Sequence, residues 1–197
     1  MQIKIKNARA SFLNIRQPYS PKTGEPKFTG NFICNDETTV SLDGGKTWQP
    51  YADAMNIALT QLCKDKWNGK VPAKMENYVY CKADGSGTRD AYVNDEETRF
   101  FVAGVKVKDR PHGPLIIDQK RLPLPAESGH PVSGDYVNVI LNLFAYEWEG
   151  KKGVSGSLEG IQYLREGEPF GAKAVESSAF DEEEVDEAEG AEDDDCF

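Results

Sequence analysis

The sequence is poor in the residues that metal and nucleophilic chemistry draw on. It holds 2 histidines and 4 cysteines in 197 residues. Cys34, Cys63, Cys81 and Cys196 are widely spaced with no C-x-x-C pair, and His112 and His130 lie in Pro- and Gly-rich stretches. Zinc sites, disulfide frameworks and Ser-His-Asp arrangements therefore have no signature here. Asp84, Asp90, Asp95, Glu96 and Glu97 fall in loop-like sequence, and only their convergence on Mg²⁺ would make a nuclease. The expectation is a protein with reduced thiols, no cofactor, no metal and no catalytic activity. No apolar run approaches the ~20 residues of a membrane span, and "MQIKIKNARA" has no hydrophobic signal core. A cytoplasmic protein without membrane contact is expected. No internal repeat is present.

What is there is charge, unevenly placed. Of the 33 acidic residues, 11 fall in residues 181–197, "DEEEVDEAEGAEDDDCF", which contain no Lys or Arg. The remaining chain carries 22 acidic residues against all 23 basic ones, so the net charge of −10 belongs to a tail. Too charged and too poor in apolar residues to bury a core, that tail is expected to be disordered. The domain boundaries expected are 1–172 for one folded domain and 173–197 for the tail.

Within the body, apolar and polar residues alternate with period two, which argues for half-buried strands. "QIKIK" is expected to pair with "KFTGNFICN" across the turn "YSPKTGEPK". Further strands are expected at "NYVYCKA", "TRFFVAGVKVK", "PLIID", "DYVNVILNLFAYEW" and "GVSGSLEGIQYLR", the last two joined by "EGKKG". One helix is expected at about 50–68, with Pro50 at its start, Gly69 at its end, and Tyr51, Met55, Ala58 and Leu62 on one face. The pattern suggests a mainly β protein, an OB-type five-stranded barrel with one main α-helix, with a sandwich as the competing architecture.

The strand "DYVNVILNLFAYEW" has one uniformly apolar face, Val137, Val139, Leu141, Leu143 and Ala145. Its other face mixes amides with large side chains: Tyr136, Asn138, Ile140, Asn142, Phe144, Tyr146 and Trp148. In "NYVYCKA", Val79, Cys81 and Ala83 are expected inward, and Tyr78, Tyr80 and Lys82 outward. Lys106 and Lys108 should oppose Val105 and Val107. Lys and Arg also cluster: residues 1–30 hold six against Glu25, and residues 99–121 hold six against Asp109 and Asp118. Outward aromatics among cations form a stacking surface with countercharge, which suits unpaired bases on a phosphate backbone. Burial of the aromatics under a neighbouring element, and a solvated basic face without function, are the structural alternatives.

"SLDGGKTW", residues 41–48, fits the S-x-D-x-G-x-T-W Asp-box hairpin of propeller proteins, but a single copy in a chain of this length cannot build a propeller. It is expected to be a tight hairpin in which Asp43 bonds the turn backbone and Trp48 packs at its base. The same "GGKT" is no phosphate-binding loop, because Val40 stands where that motif needs glycine.

The tip "EDDDCF" resembles the acidic, Phe-terminated tip of bacterial single-stranded-DNA-binding proteins. The layout of 1–170, with "YVYCKA", "PLIID" and the hairpin "VNVILNLFAYEWEGKKGVSGSLEGIQYL" leading to "FG" and an acidic tail, resembles the OB-fold single-stranded-DNA-binding proteins of tailed phages. That resemblance implies a location in an infected bacterial host and non-sequence-specific binding of single-stranded DNA in replication, recombination or repair. It implies base stacking by Tyr146, with Trp148 beside it, and a DNA-binding role for Tyr78, Tyr80 and Lys82. Lys4, Lys6, Lys106, Lys108, Lys151 and Lys152 would join Lys82 on the phosphates. The tail residues Asp193, Asp194, Asp195 and Phe197 would engage the phage DNA polymerase and helicase/primase and compete with DNA for the groove; a homodimer is compatible with this picture. From other classes, the chain reads as a protein–protein adaptor or DNA mimic acting through its tail on a basic partner, or as a glycan-binding barrel using its outward aromatics.

Overall fold

The computed structural model describes residues 1–82 and 98–170. The expected residues Ala83, Asp84, Asp90, Asp95, Glu96 and Glu97, and the tail including Asp193, Asp194, Asp195 and Phe197, lie outside the described residues. Among the described residues nine strands and one α-helix follow in the order β1 (Gln2–Tyr19), β2 (Lys27–Cys34), β3 (Thr39–Ser41), β4 (Gln49–Pro50), α1 (Tyr51–Trp67), β5 (Glu76–Asn77), β6 (Arg99–Lys106), β7 (Leu115–Ile117), β8 (Tyr136–Trp148) and β9 (Lys151–Arg165). Hydrogen bonds run β2-β6-β9-β8-β1, and β1 also pairs with β2. Those five strands close into an OB-type ring, so the barrel is the observed architecture and the sandwich is not.

Strand β1 is much longer than "QIKIK". Its first part pairs with β8 and β3, and only its second part, from Arg9 onward, pairs with β2. The expected pairing of "QIKIK" with the second strand is thus corrected. The cause is a bulge: the register with β8 shifts between Ile5 and Ala8, where Asn7 adopts φ 59° and donates its backbone N–H to the Asn138 side chain at 3.2 Å. Inward parity moves there from Ile3 and Ile5 to Ala8 and Ala10, all buried. A bulge of this kind bends and twists a strand, which lets one strand serve two neighbours of a closed ring.

The interior is the apolar face foreseen on β8. Val137, Val139, Leu141 and Leu143 are buried with Val154, Leu158 and Ile161 of β9 and Phe32 and Phe101 of β2 and β6. The last two rings stack at 4.8 Å. Helix α1 buries Tyr51, Ala54, Met55, Ala58 and Leu62 into the same core, which includes the stripe its sequence announces, and buries Cys63 against Met75. It ends at the expected Gly69, whose N–H reaches the Lys64 carbonyl at 3.1 Å, after a left-handed Asn68 that the sequence reading did not single out.

The segment "NYVYCKA" is not the strand expected. Only Glu76 and Asn77 pair with β9, and Cys81 bridges Phe100. The Asn77 side chain instead accepts the backbone N–H groups of Val79 and Tyr80, each at 3.0 Å, so the chain turns there.

Candidate nucleic-acid interface

The hairpin β8–β9 is the platform of the site. Its two-residue turn, Glu149 and Gly150, has φ 47° and 77° and keeps Trp148 opposite Lys151. Along β8, Asn142, Phe144 and Trp148 are exposed while the residues between Val137 and Leu143 alternate inward. Phe144 and Tyr146 stand across from Ser155 and Gly153 on β9. Glycine at 153 makes room for the ring where it lies: a Cβ there would be 2.4 Å from the Tyr146 ring. The ring is laid across the neighbouring backbone, and its hydroxyl donates to Glu76 at 2.7 Å. Burial first, and then that bond, hold the Tyr146 phenol well above its ordinary range, so it stays neutral and donating.

These side chains wall a cleft of about 470 Å³, whose lining runs from Tyr78 through Phe144, Tyr146, Ser155 and Ser157 to Thr29, Lys27 and Lys106. The floor at Gly104 has no side chain. Phe144 is 44% and Tyr78 39% exposed, so flat aromatic surface reaches solvent inside the concavity. Glu76 ties the rim together, accepting from Tyr146, lying 3.4 Å from the Tyr78 hydroxyl and 3.8 Å from the Lys151 ammonium.

The sequence-derived site residues separate into groups. Tyr78, Tyr146 and Lys106 line the cleft. Lys108 is beside it, and it shares Glu25 with Lys106 at 2.6 and 2.5 Å. Tyr80, expected outward, packs instead against the buried Tyr51, ring centres 5.8 Å apart, because the turn at Asn77 rotates it onto the core. Lys82 is exposed and is the last residue of the first described stretch. Trp148, 69% exposed, stands at the hairpin tip outside the cleft lining. Lys152 lies 3.7 Å from Glu147 and 5.8 Å from the Trp67 ring, so those charges meet the end of α1. Lys4 and Lys6 line a second depression, with no residue in common with the first.

Phe144, Lys27, Thr29, Ser155 and Ser157 were not among the expected site residues. Phe144 carried a signal, its even position on β8 between Asn142 and Tyr146. The β9 serines and Lys27 carried none, because strand order decides which strands flank the hairpin. Among the described residues there is no group of three or more His, Cys, Asp or Glu placed to hold a metal ion. No helix among them is long and apolar enough to cross a membrane.

A curved sheet with exposed aromatics, backbone-lined floor and peripheral lysines can stack flat rings and neutralise phosphates in one groove. Comparison with known proteins points the same way. Residues 1–191 match the family model described as Enterobacter phage Enc34, ssDNA-binding protein. Putative protein p50 of Acyrthosiphon pisum secondary endosymbiont phage 1 is 29% identical over 185 residues, 90% of either chain. Among solved structures, the single-stranded DNA-binding protein from bacteriophage Enc34 superposes with TM-score 0.62 at 20% identity over 91% of this chain and 90% of that one. The same protein in complex with ssDNA gives 0.64 at 19% over 86% and 89%. The single-stranded DNA binding protein gp2.5 of bacteriophage T7 gives 0.58 at 14% over 93% and 99%.

Proposed function

The chain belongs to the family of phage single-stranded-DNA-binding proteins typified by that of Enc34, and from that premise we propose that it binds single-stranded DNA without sequence preference in the β8–β9 cleft, as a binding protein and not an enzyme. The observation that carries this reading is the exposure of Phe144 and Tyr78 beside Tyr146 in a cleft edged by Lys27 and Lys106. Stacking on such rings is worth roughly 1–3 kcal/mol per base and is indifferent to base identity. Phe144, Tyr146 and Tyr78 stack; Lys27, Lys106, Lys108 and Lys151 meet phosphates. The acidic tail competes with DNA for the lysines, because eleven carboxylates tethered to the barrel act as a polyanion at high effective concentration. Its terminal Phe197 serves as an apolar anchor for a replication partner such as a polymerase or helicase, and the protein acts in phage replication, recombination or repair.

Fluorescence-anisotropy titration of oligo-dT and of duplex DNA tests this, with full-length protein and a 1–180 fragment at two salt concentrations. Tight, salt-sensitive oligo-dT binding, weaker duplex binding and stronger binding by the fragment are expected. Absence of oligo-dT binding by both proteins would move the function to the tail and make a protein–protein adaptor the reading to pursue.

A further inference from the structure

The second depression, about 310 Å³, is walled on one side by Trp48, the last residue of the Asp-box hairpin that the cleft does not use. Asp43 holds that hairpin shut. It accepts from the Ser41 hydroxyl at 2.7 Å, from the N–H groups of Lys46 and Thr47 at 3.0 Å, and from the Thr47 hydroxyl at 2.7 Å. These bonds, those from Thr47 foremost, depress its carboxyl far below the ordinary range, so the clasp is ionised and closed under all ordinary conditions. Trp48 is thereby fixed at the hairpin base, with the Lys6 ammonium 3.9 Å from its ring centre. Lys4 donates to the Gly44 carbonyl at 2.6 Å.

Charge distinguishes this place from the cleft. In and around the cleft, Lys106 and Lys108 share Glu25 and Lys151 faces Glu76, Lys27 alone of its lysines is in no ion pair among the described residues, and the carboxylate of Asp109 belongs to the lining. Lys4, Lys6 and Arg121, which line the depression, are in no ion pair among the described residues, and no carboxylate lines it. Leu115, 60% exposed, and Ile117 add an open apolar wall. The depression also lies on the same outward face of β8 as the cleft: Asn138 and Ile140 belong to it, Phe144 and Tyr146 to the other, with exposed Asn142 between. From Ile140 to Phe144 is four residues of strand, about 14 Å, a gap that a few nucleotides bridge.

We propose that the depression walled by Trp48, Leu115 and Ile117 and rimmed by Lys4, Lys6 and Arg121 is a second single-stranded-DNA subsite, taking nucleotides of a strand already seated on Phe144 and Tyr146. It rests on the cleft's reading as a single-stranded-DNA site. The two ends divide the work: the cleft supplies most of the stacking surface, and the Asp-box end supplies cations not committed to carboxylates, whose phosphate contacts release counterions in full.

The test is the length dependence of binding by full-length protein. Oligo-dT of roughly four and roughly sixteen nucleotides, the limits of OB-fold site sizes, is titrated with wild type, Trp48→Leu, Lys6→Gln and Arg121→Gln across a salt series. With the longer strand, Trp48→Leu should weaken binding roughly fivefold or more, and Lys6→Gln and Arg121→Gln should each flatten the slope of log K against log salt by about 0.7. The short strand should bind all four proteins alike. Unchanged affinity and slope for the long strand, with wild type binding both, would overturn the subsite and leave the cleft standing. Equal losses on both lengths would overturn it too, since the patch would then be no extension. Failure of wild type to bind either strand would remove the underlying reading and the subsite together. A change seen only as the loss of the difference between full-length protein and a 1–180 fragment would assign the depression to the acidic tail instead. Should Trp48→Leu not fold, as judged by thermal melting, the two exposed-charge variants decide the matter.

Discussion

Glu25 occupies two lysines that a polyanion would otherwise find free. Its carboxylate sits 2.5 Å from Lys106 and 2.6 Å from Lys108, and all three side chains are well exposed. Exposed pairs of this kind contribute little to stability, so their consequence lies in binding. Glu25→Gln should release both cations, strengthen oligo-dT binding and steepen the salt dependence by up to about 1.4 in slope; anisotropy at three salt concentrations reads both, and an unchanged slope would show the lysines to be remote from DNA. A pH dependence follows from the same group. The hydrogen bond from Lys106, and next that from Lys108, hold the Glu25 carboxyl below its ordinary value. A depressed carboxylate keeps its pairing above the unfolded range and loses it only as pH falls through the lower folded value. DNA affinity of the wild type should therefore gain a component at pH below the ordinary carboxylate range, and Glu25→Gln should lack that component when the two are titrated side by side. None of this was legible in sequence, where Glu25 was one acid among six basic neighbours; its partners come from β6 and the residues after it, and only the β2–β6 pairing brings them together.

At the level of elements, the β8–β9 hairpin carries both the core and the proposed interface, one on each face. That double duty made β8 readable: a strand with one uniform apolar face and one mixed aromatic face has few places to lie. Strand β1 was readable only at its start, because the bulge at Asn7 exchanges its faces and a two-residue period cannot be followed through it. The segment after β5 was misread for a related reason. Its alternating letters imitate a strand, but the Asn77 side chain takes the backbone donors that a partner strand would need. The hairpin's binding face can be disturbed apart from its core face. Gly153→Ala places a methyl group where the Tyr146 ring now lies, so the ring must swing away and give up Glu76. The expected outcome is a several-fold loss of oligo-dT affinity with a small change in melting temperature, since alanine is tolerated in strands better than glycine. A large fall in melting temperature with unchanged affinity would show the ring's position to be irrelevant to DNA.

For the molecule as a whole, a nearly neutral body and a strongly negative end coexist in one chain, and overall charge is a poor guide to what the surface attracts. If five phosphates are neutralised, log K should fall against log salt with a slope near −3.5. A salt-independent complex would remove the electrostatic half of the reading. The closed ring has a further effect wherever copies are crowded together. Because β1 and β2 complete the circle, the strands that lie outside the ring at an edge of the sheet are short: β4 and β5, of two residues each, and β7, of three. One of the two residues of β4 is Pro50, which has no N–H to offer, and α1 begins at the next residue. Among the described residues, these outlying strands thus offer a neighbouring copy only short rows of unpaired amides, a poor template for fusing sheets into an aggregate.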